Sequence, residues 1–113
     1  MPEWFRTADS EDCPRGSVVE RIVAGRVVAL AHTQDGSWHA LDGVCPHQGG
    51  PLGTGRLCGT TLTCPWHGWQ FDVLDGQHRL SVSVRQPTFP VEQRPDGIWV
   101  LIEPASSGPS ATG

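Results

Sequence analysis

Apolar positions fall in short runs, separated by glycine, proline and aspartate, along most of the chain. The runs predict strands at 4–7, 18–24, 26–33, 37–41, 60–63, 70–73, 89–93 and 98–102. Their β-branched and aromatic content suits a pleated, half-buried surface. Asp-Gly, a turn and hairpin dipeptide, stands at Asp35-Gly36, Asp42-Gly43, Asp75-Gly76 and Asp96-Gly97. A single helical turn is expected at 8–13, where Asp9 or Ser10 caps it and Pro14 stops it. Short strands at this spacing predict an all-β sandwich or small barrel. No internal repeat is evident.

Two stretches break the strand pattern. One is 42–55, with five glycines and two prolines; the other is 64–68. Both carry Cys and His. We expect one domain over 1–103, with its special loops at about 42–70. The tail, 104–113, lacks core-forming residues beyond alanine and is expected to be disordered.

Composition narrows the class. The chain has 113 residues, enough for one small domain whose apolar core gives modest stability. A bound metal centre would contribute to folding as well as to chemistry. The formal charge of −4 argues against a nucleic-acid binder. It could also steer the protein toward basic patches on partners. The longest apolar run, 27–31, is too short to span a bilayer, and the first 13 residues lack a signal-peptide core. The expectation is a soluble, cytoplasmic protein without structural disulfides. Its four cysteines then read as ligands or free thiols.

The chemistry lies in Cys45-Pro46-His47 and, sixteen residues further on, Cys64-Pro65-Trp66-His67. Each arm offers one thiolate and one imidazole, donors suited to zinc or to iron–sulfur. Paired ligands of a tetrahedral zinc site are usually spaced by two to five residues. Cys45 and His47 have one residue between them. Extended backbone turns such near neighbours to opposite sides, so each arm is more comfortable straddling two metals. The cysteines then share one iron and the histidines the other. A structural zinc domain that binds a partner without redox chemistry remains the alternative.

The segments Cys45-Pro46-His47-Gln48-Gly49-Gly50-Pro51-Leu52 and Cys64-Pro65-Trp66-His67-Gly68-Trp69-Gln70-Phe71-Asp72 resemble the two cluster-binding loops of the Rieske [2Fe-2S] ferredoxin family. The likeness runs over about 18–101 and includes Pro87 in a third, proline-bearing loop. It implies a Rieske iron–sulfur fold, with a cluster-binding subdomain of two loops at one tip of a small antiparallel sheet structure. It also implies one [2Fe-2S] cluster held by Cys45, His47, Cys64 and His67, the histidines binding through Nδ1. Gly68, Trp66, Gln48 and Pro87 are expected around it. With two thiolates the oxidised site is formally neutral, so accepting an electron costs less than at an all-cysteine site. Respiratory relatives carry a disulfide where this chain has Gly50 and Trp66, and a serine donor where it has Trp69. Fewer hydrogen bonds to sulfur imply a potential near the low end of the Rieske range.

For the remaining residues the expectations are plainer. Gly49, Gly50 and Gly68 permit tight turns or close approach to the cluster, with Gly68 favoured for the latter. Trp66 is open to a rim or a core position. Trp4, Phe5, Trp38, Phe71, Phe89 and Trp99 read as core, Cys13 and Cys58 as buried free thiols, and His32, His39 and His78 as ordinary surface or strand residues.

The resemblance implies an electron carrier rather than an enzyme. Its partners would be a flavin-containing NAD(P)H reductase and a terminal oxygenase. The alternative is the small subunit of an NAD(P)H-dependent nitrite reductase, beside its large subunit.

Overall fold

The computed structural model describes residues 2–45, 49–66, 68–81 and 83–104. Among the described residues ten strands form three antiparallel sheets. β1 (Glu3–Ala8) pairs with β10 (Gly97–Ile102), which pairs with β9 (Val91–Arg94). The second sheet runs β2 (Ser17–Val23), β3 (Arg26–His32), β4 (Trp38–Asp42) and β8 (Thr88–Phe89). The third is a meander of β5 (Arg56–Cys58), β6 (Thr61–Thr63) and β7 (Gln70–Asp72). The all-β expectation holds, and the turn at 8–13 appears as a 3-10 turn, Ser10–Asp12.

β3 organises the interior. Residues 28–31 are all fully buried, so both faces of the strand are covered. Alternation then sends Val28 and Leu30 to one core and Ala29 and Ala31 to another. Val28 and Leu30 meet Ala40, Ile98, Val100 and Ile102, which joins the first two sheets. The small Ala29 and Ala31 instead face Leu52, Leu57, Leu62, Phe71 and Val73, and with them Cys45 and Cys64. This second core joins the meander to the four-stranded sheet.

Three expectations need correction. The strand β5 falls in a stretch read as loop and turn. Its hairpin signal is Gly59, at φ 60°, between Arg56-Leu57-Cys58 and Thr61-Leu62-Thr63. Cys58 is exposed rather than buried, because Leu57 takes the inward face of that short strand. Of the aromatics read as core, Phe71 is fully buried and Phe5, Trp38 and Phe89 are half-buried against the core, as expected, whereas Trp4 and Trp99 are half-buried outside both core clusters. Trp4 and Trp99 face the Arg94 guanidinium, and Trp38 stacks on His32 at 3.8 Å. Cys13 is a buried free thiol as expected, and burial pushes its pKa up. The expectation for the tail falls on residues of which 105–113 lie outside the described residues.

Candidate metal centre

The two cysteines reach one core from two different sheets. Cys45 lies three residues past the end of β4, in the loop that leads to β5. Cys64 follows β6 directly, in the loop that leads to β7. Neither forms a disulfide, and both are almost wholly buried, at 2% and 1% exposure.

The loops share a local design. The Cys45 N–H donates to the Gly50 carbonyl at 2.8 Å, and the Cys64 N–H donates to the Trp69 carbonyl at 2.7 Å. Each bond spans five residues. In each loop a glycine four residues after the cysteine takes positive φ, Gly49 at 75° and Gly68 at 73°. Both cysteines are followed by proline. The sequence pattern Cys-Pro-x-x-Gly therefore occurs twice, with a left-handed glycine and a hydrogen bond across five residues in each case, a short repeat not recognised in the sequence. Histidine stands at the second position after Cys45 and the third after Cys64.

Gly50 is where the loops meet. A Cβ there would lie 2.7 Å from Cys64 Sγ and 3.1 Å from Trp66 Cβ. Only a residue without a side chain fits at that distance. The contact with Trp66 also shows that positions 50 and 66 face each other, as the resemblance implies, though neither is a cysteine here. A Cβ on Gly68 would meet nothing within 4 Å, so its left-handed φ is the structural reason for glycine there.

The first loop is stitched to the four-stranded sheet. Gly43 N–H donates to Val27 O at 2.9 Å and Leu52 N–H to Gly43 O at 2.9 Å. Asp42 Oδ1 accepts the Val44 N–H at 3.0 Å, an Asx turn that sends the chain into the loop. A buried side chain that the sequence reading missed completes this. Gln86 Nε2 donates to Asp42 O at 2.7 Å and to Val44 O at 2.6 Å, while Pro87 O accepts the Asp42 N–H at 2.9 Å. Pro87 was singled out; its neighbour makes the closer connection. The only sequence signal was a polar residue beside that proline.

Packing holds the second loop. Trp69 stands edge-on to His78 at 4.5 Å, and His78 is edge-on to Phe71 at 5.2 Å. His78 was read as an ordinary residue, yet it is 7% exposed. Its Nδ1 accepts the N–H groups of Leu80 and Ser81 at 3.0 and 3.1 Å, which places the ring proton on Nε2. That atom has no hydrogen-bond partner among the described residues. Trp66 is 49% exposed and so belongs to the rim.

His47, Gln48 and His67 lie outside the described residues. Among the described residues no group of three or more metal-ligating side chains is found, so the structure brings together the two thiols of the expected set. Two cysteines buried in one core, with glycine-made clearance around one sulfur, fit a thiolate-bound cluster. An open cleft of about 660 Å³ runs beside Cys64, lined by Thr54, Gly55, Arg56, Cys58, Thr63, Pro65 and Gln70.

The family profile described as the Rieske [2Fe-2S] domain matches residues 3–90. The ferredoxin component of naphthalene 1,2-dioxygenase/salicylate 5-hydroxylase systems from Ralstonia sp is 32% identical over 90 residues, 79% of this chain and 86% of that protein. Cholesterol 7-desaturase of Xenopus laevis is 35% identical over 76% of this chain but only 19% of its own length. The chain thus spans about a fifth of that relative. A structure titled as the complex of reduced oxygenase and oxidized ferredoxin in carbazole 1,9a-dioxygenase superposes with a TM-score of 0.78 at 26% identity, covering 90% of this chain and 95% of the other. The putative NADH-dependent nitrite reductase small subunit from Mycobacterium tuberculosis shares the fold, with a TM-score of 0.82 at 24% identity over 93% and 99% of the two chains.

Proposed function

The chain belongs to the Rieske [2Fe-2S] domain family, and from that premise we propose that it is a one-electron carrier between an NAD(P)H-dependent flavin reductase and a terminal oxygenase. In this reading Cys45 and Cys64 bind one iron, and His47 and His67 the other. The bound cluster supplies a single reversible redox step near neutral formal charge. The chain's own residues do the rest. Gly50 leaves room at Cys64 Sγ. Gln86 and Pro87 fix the peptide units on either side of Gly43 and so the approach to Cys45. Trp69, Phe71 and His78 set the floor under the second loop.

The observation that carries the reading is the burial of two cysteines in one core, each ahead of a glycine of positive φ four residues on in the sequence pattern Cys-Pro-x-x-Gly. The match to a ferredoxin component over 86% of its length supports a carrier rather than a catalytic chain. Among the described residues no helix is long and apolar enough to cross a membrane. Cysteines that form no disulfide among the described residues suit a reducing compartment, and we place the protein in the cytoplasm.

Stopped-flow reduction by a flavin reductase and reoxidation by an oxygenase test the carrier role. Rapid single-electron turnover in both directions is expected, with a potential at the low end of the Rieske range. A second reading, a small subunit of a nitrite reductase, draws on the similar length and fold of that relative. Copurification of a stoichiometric large subunit, with no activity from the separated chain, would favour it.

A further inference from the structure

Charge is divided unevenly over this molecule. Residues 43–88, which carry both cysteine loops and the meander, hold three arginines against two aspartates. The other residues hold five arginines against ten acidic side chains. Among those acids Glu3, Glu11, Glu92 and Asp96 are exposed on the β1–β10–β9 sheet and the turns beside it. The net charge of −4 is therefore concentrated away from the cysteines.

At the loop end Asp42 is spoken for, paired with Arg26 at 3.6 Å. Asp72, paired with Arg79 at 3.6 Å, and Asp75, in the turn after β7, lie at the end of that strand remote from Cys64. Arg56 is different. It is exposed, opens β5 opposite Thr63, and forms no ion pair among the described residues. It borders the cleft whose wall includes Cys64 and Pro65. Around the same end lie exposed apolar side chains: Val44 at 45%, Trp66 at 49% and Leu80 at 90%. Leu80 is held there because Arg79 N–H donates to Gln70 O at 2.9 Å and His78 packs on Trp69.

We propose that this loop end docks a redox protein whose own face is apolar at its centre and presents a carboxylate opposite Arg56. The assignment rests on the carrier reading above and names the chemistry of the partner surface. A guanidinium without an internal partner is suited to a planar, two-point bond with a carboxylate. Exposed tryptophan and aliphatic side chains beside it give the desolvated centre that such contacts need. The acids on the remote sheet act at longer range. They repel an acidic partner from the wrong end and so turn the loop end toward it. Net charge alone predicts the opposite partner, a basic one.

Small redox ions and two peptides read this directly on the reduced holoprotein. Ferricyanide is the anionic oxidant and tris(phenanthroline)cobalt(III) the cationic one. The ferricyanide rate should fall as salt is added, and Arg56→Glu should lower it by about threefold to tenfold at low salt. Glu11→Gln, on the remote end, should change it by less than about twofold on the same screening grounds. In calorimetry a peptide of alternating Leu and Glu should bind the wild type and lose binding in Arg56→Glu, while a Leu/Lys peptide should not bind. A ferricyanide rate that rises with salt, or binding of the Leu/Lys peptide instead, would overturn the assignment. A protein that purifies without visible colour or a reduced EPR signal would instead defeat the carrier reading itself, so the two failures are told apart.

Discussion

The two cysteine loops share a sequence pattern and differ in their support. The first, after β4, is tied down by hydrogen bonds: its backbone to Val27, and its entry to Gln86 and Pro87. The second, after β6, rests on rings: Trp69, His78 and Phe71 pack edge to face beneath it. One loop belongs to a four-stranded sheet buried on both faces of β3; the other belongs to a three-stranded meander with strands of three residues. A sheet of three very short strands is marginal alone. Its attachment to the rest is the core that includes both cysteines. A cluster bridging them would staple the meander to the larger sheet, so metal loss and loosening of the meander should go together.

Substitutions can break this comparison at chosen points. The largest effect is expected where the loops touch. Gly50→Ala puts a methyl group 2.7 Å from Cys64 Sγ and close to the Trp66 side chain, and both loops must move. We expect loss of most of the cluster, read as the iron content and visible absorbance of purified protein.

Next comes the floor of the second loop. Phe71→Ala removes a fully buried ring and should cost about 3–5 kcal/mol of folding stability in denaturant titrations. A smaller loss, about 1–3 kcal/mol, is expected for Gln86→Leu, which removes the buried donor shared by the part-buried Asp42 and Val44 carbonyls. The pair sharpens the contrast if cluster release is followed alongside. Gln86→Leu should loosen the Cys45 side while leaving the near-ultraviolet signal of the tryptophans almost intact. Phe71→Ala should change that signal. Equal spectral effects from both would show that the loops are not separately supported.

The smallest effect concerns pH. Burial lowers the His39 pKa below its usual 6.5, with Asp35 and Asp72 partly opposing the shift. The unfolded chain then binds a proton more readily than the folded one, so His39 costs stability as pH falls below about 6.5. His39→Gln should flatten that part of the stability profile, measured as Tm between neutral and mildly acid pH. An unchanged slope would assign the acid sensitivity elsewhere.

Much of this was legible in the sequence, for physical reasons that also set the limits. Alternating β-branched runs and Asp-Gly turns gave β2, β3 and β4 because they depend on local pattern and burial on known faces. Cys45 and Cys64 stood out because cysteine beside proline and histidine has few other uses. β5 was hidden because three residues, Arg56-Leu57-Cys58, carry too little periodicity to register. Gln86 and His78 were hidden for another reason. Their roles come from partners 7–44 residues away, Asp42, Val44, Trp69 and Phe71, and no local pattern announces a hydrogen bond or ring contact at such separations. The acidic net charge is a sum and carries no position, so by itself it does not tell which end of the molecule a partner meets.

The central claim is that Cys45, His47, Cys64 and His67 together hold one [2Fe-2S] cluster. Pulsed EPR of the dithionite-reduced, purified protein tests it most directly. The account predicts a reduced signal of low average g with hyperfine coupling to two histidine nitrogens, one of them lost in His47→Cys and the other in His67→Cys. A colourless protein that contains zinc, or a cluster signal without nitrogen coupling, would contradict it.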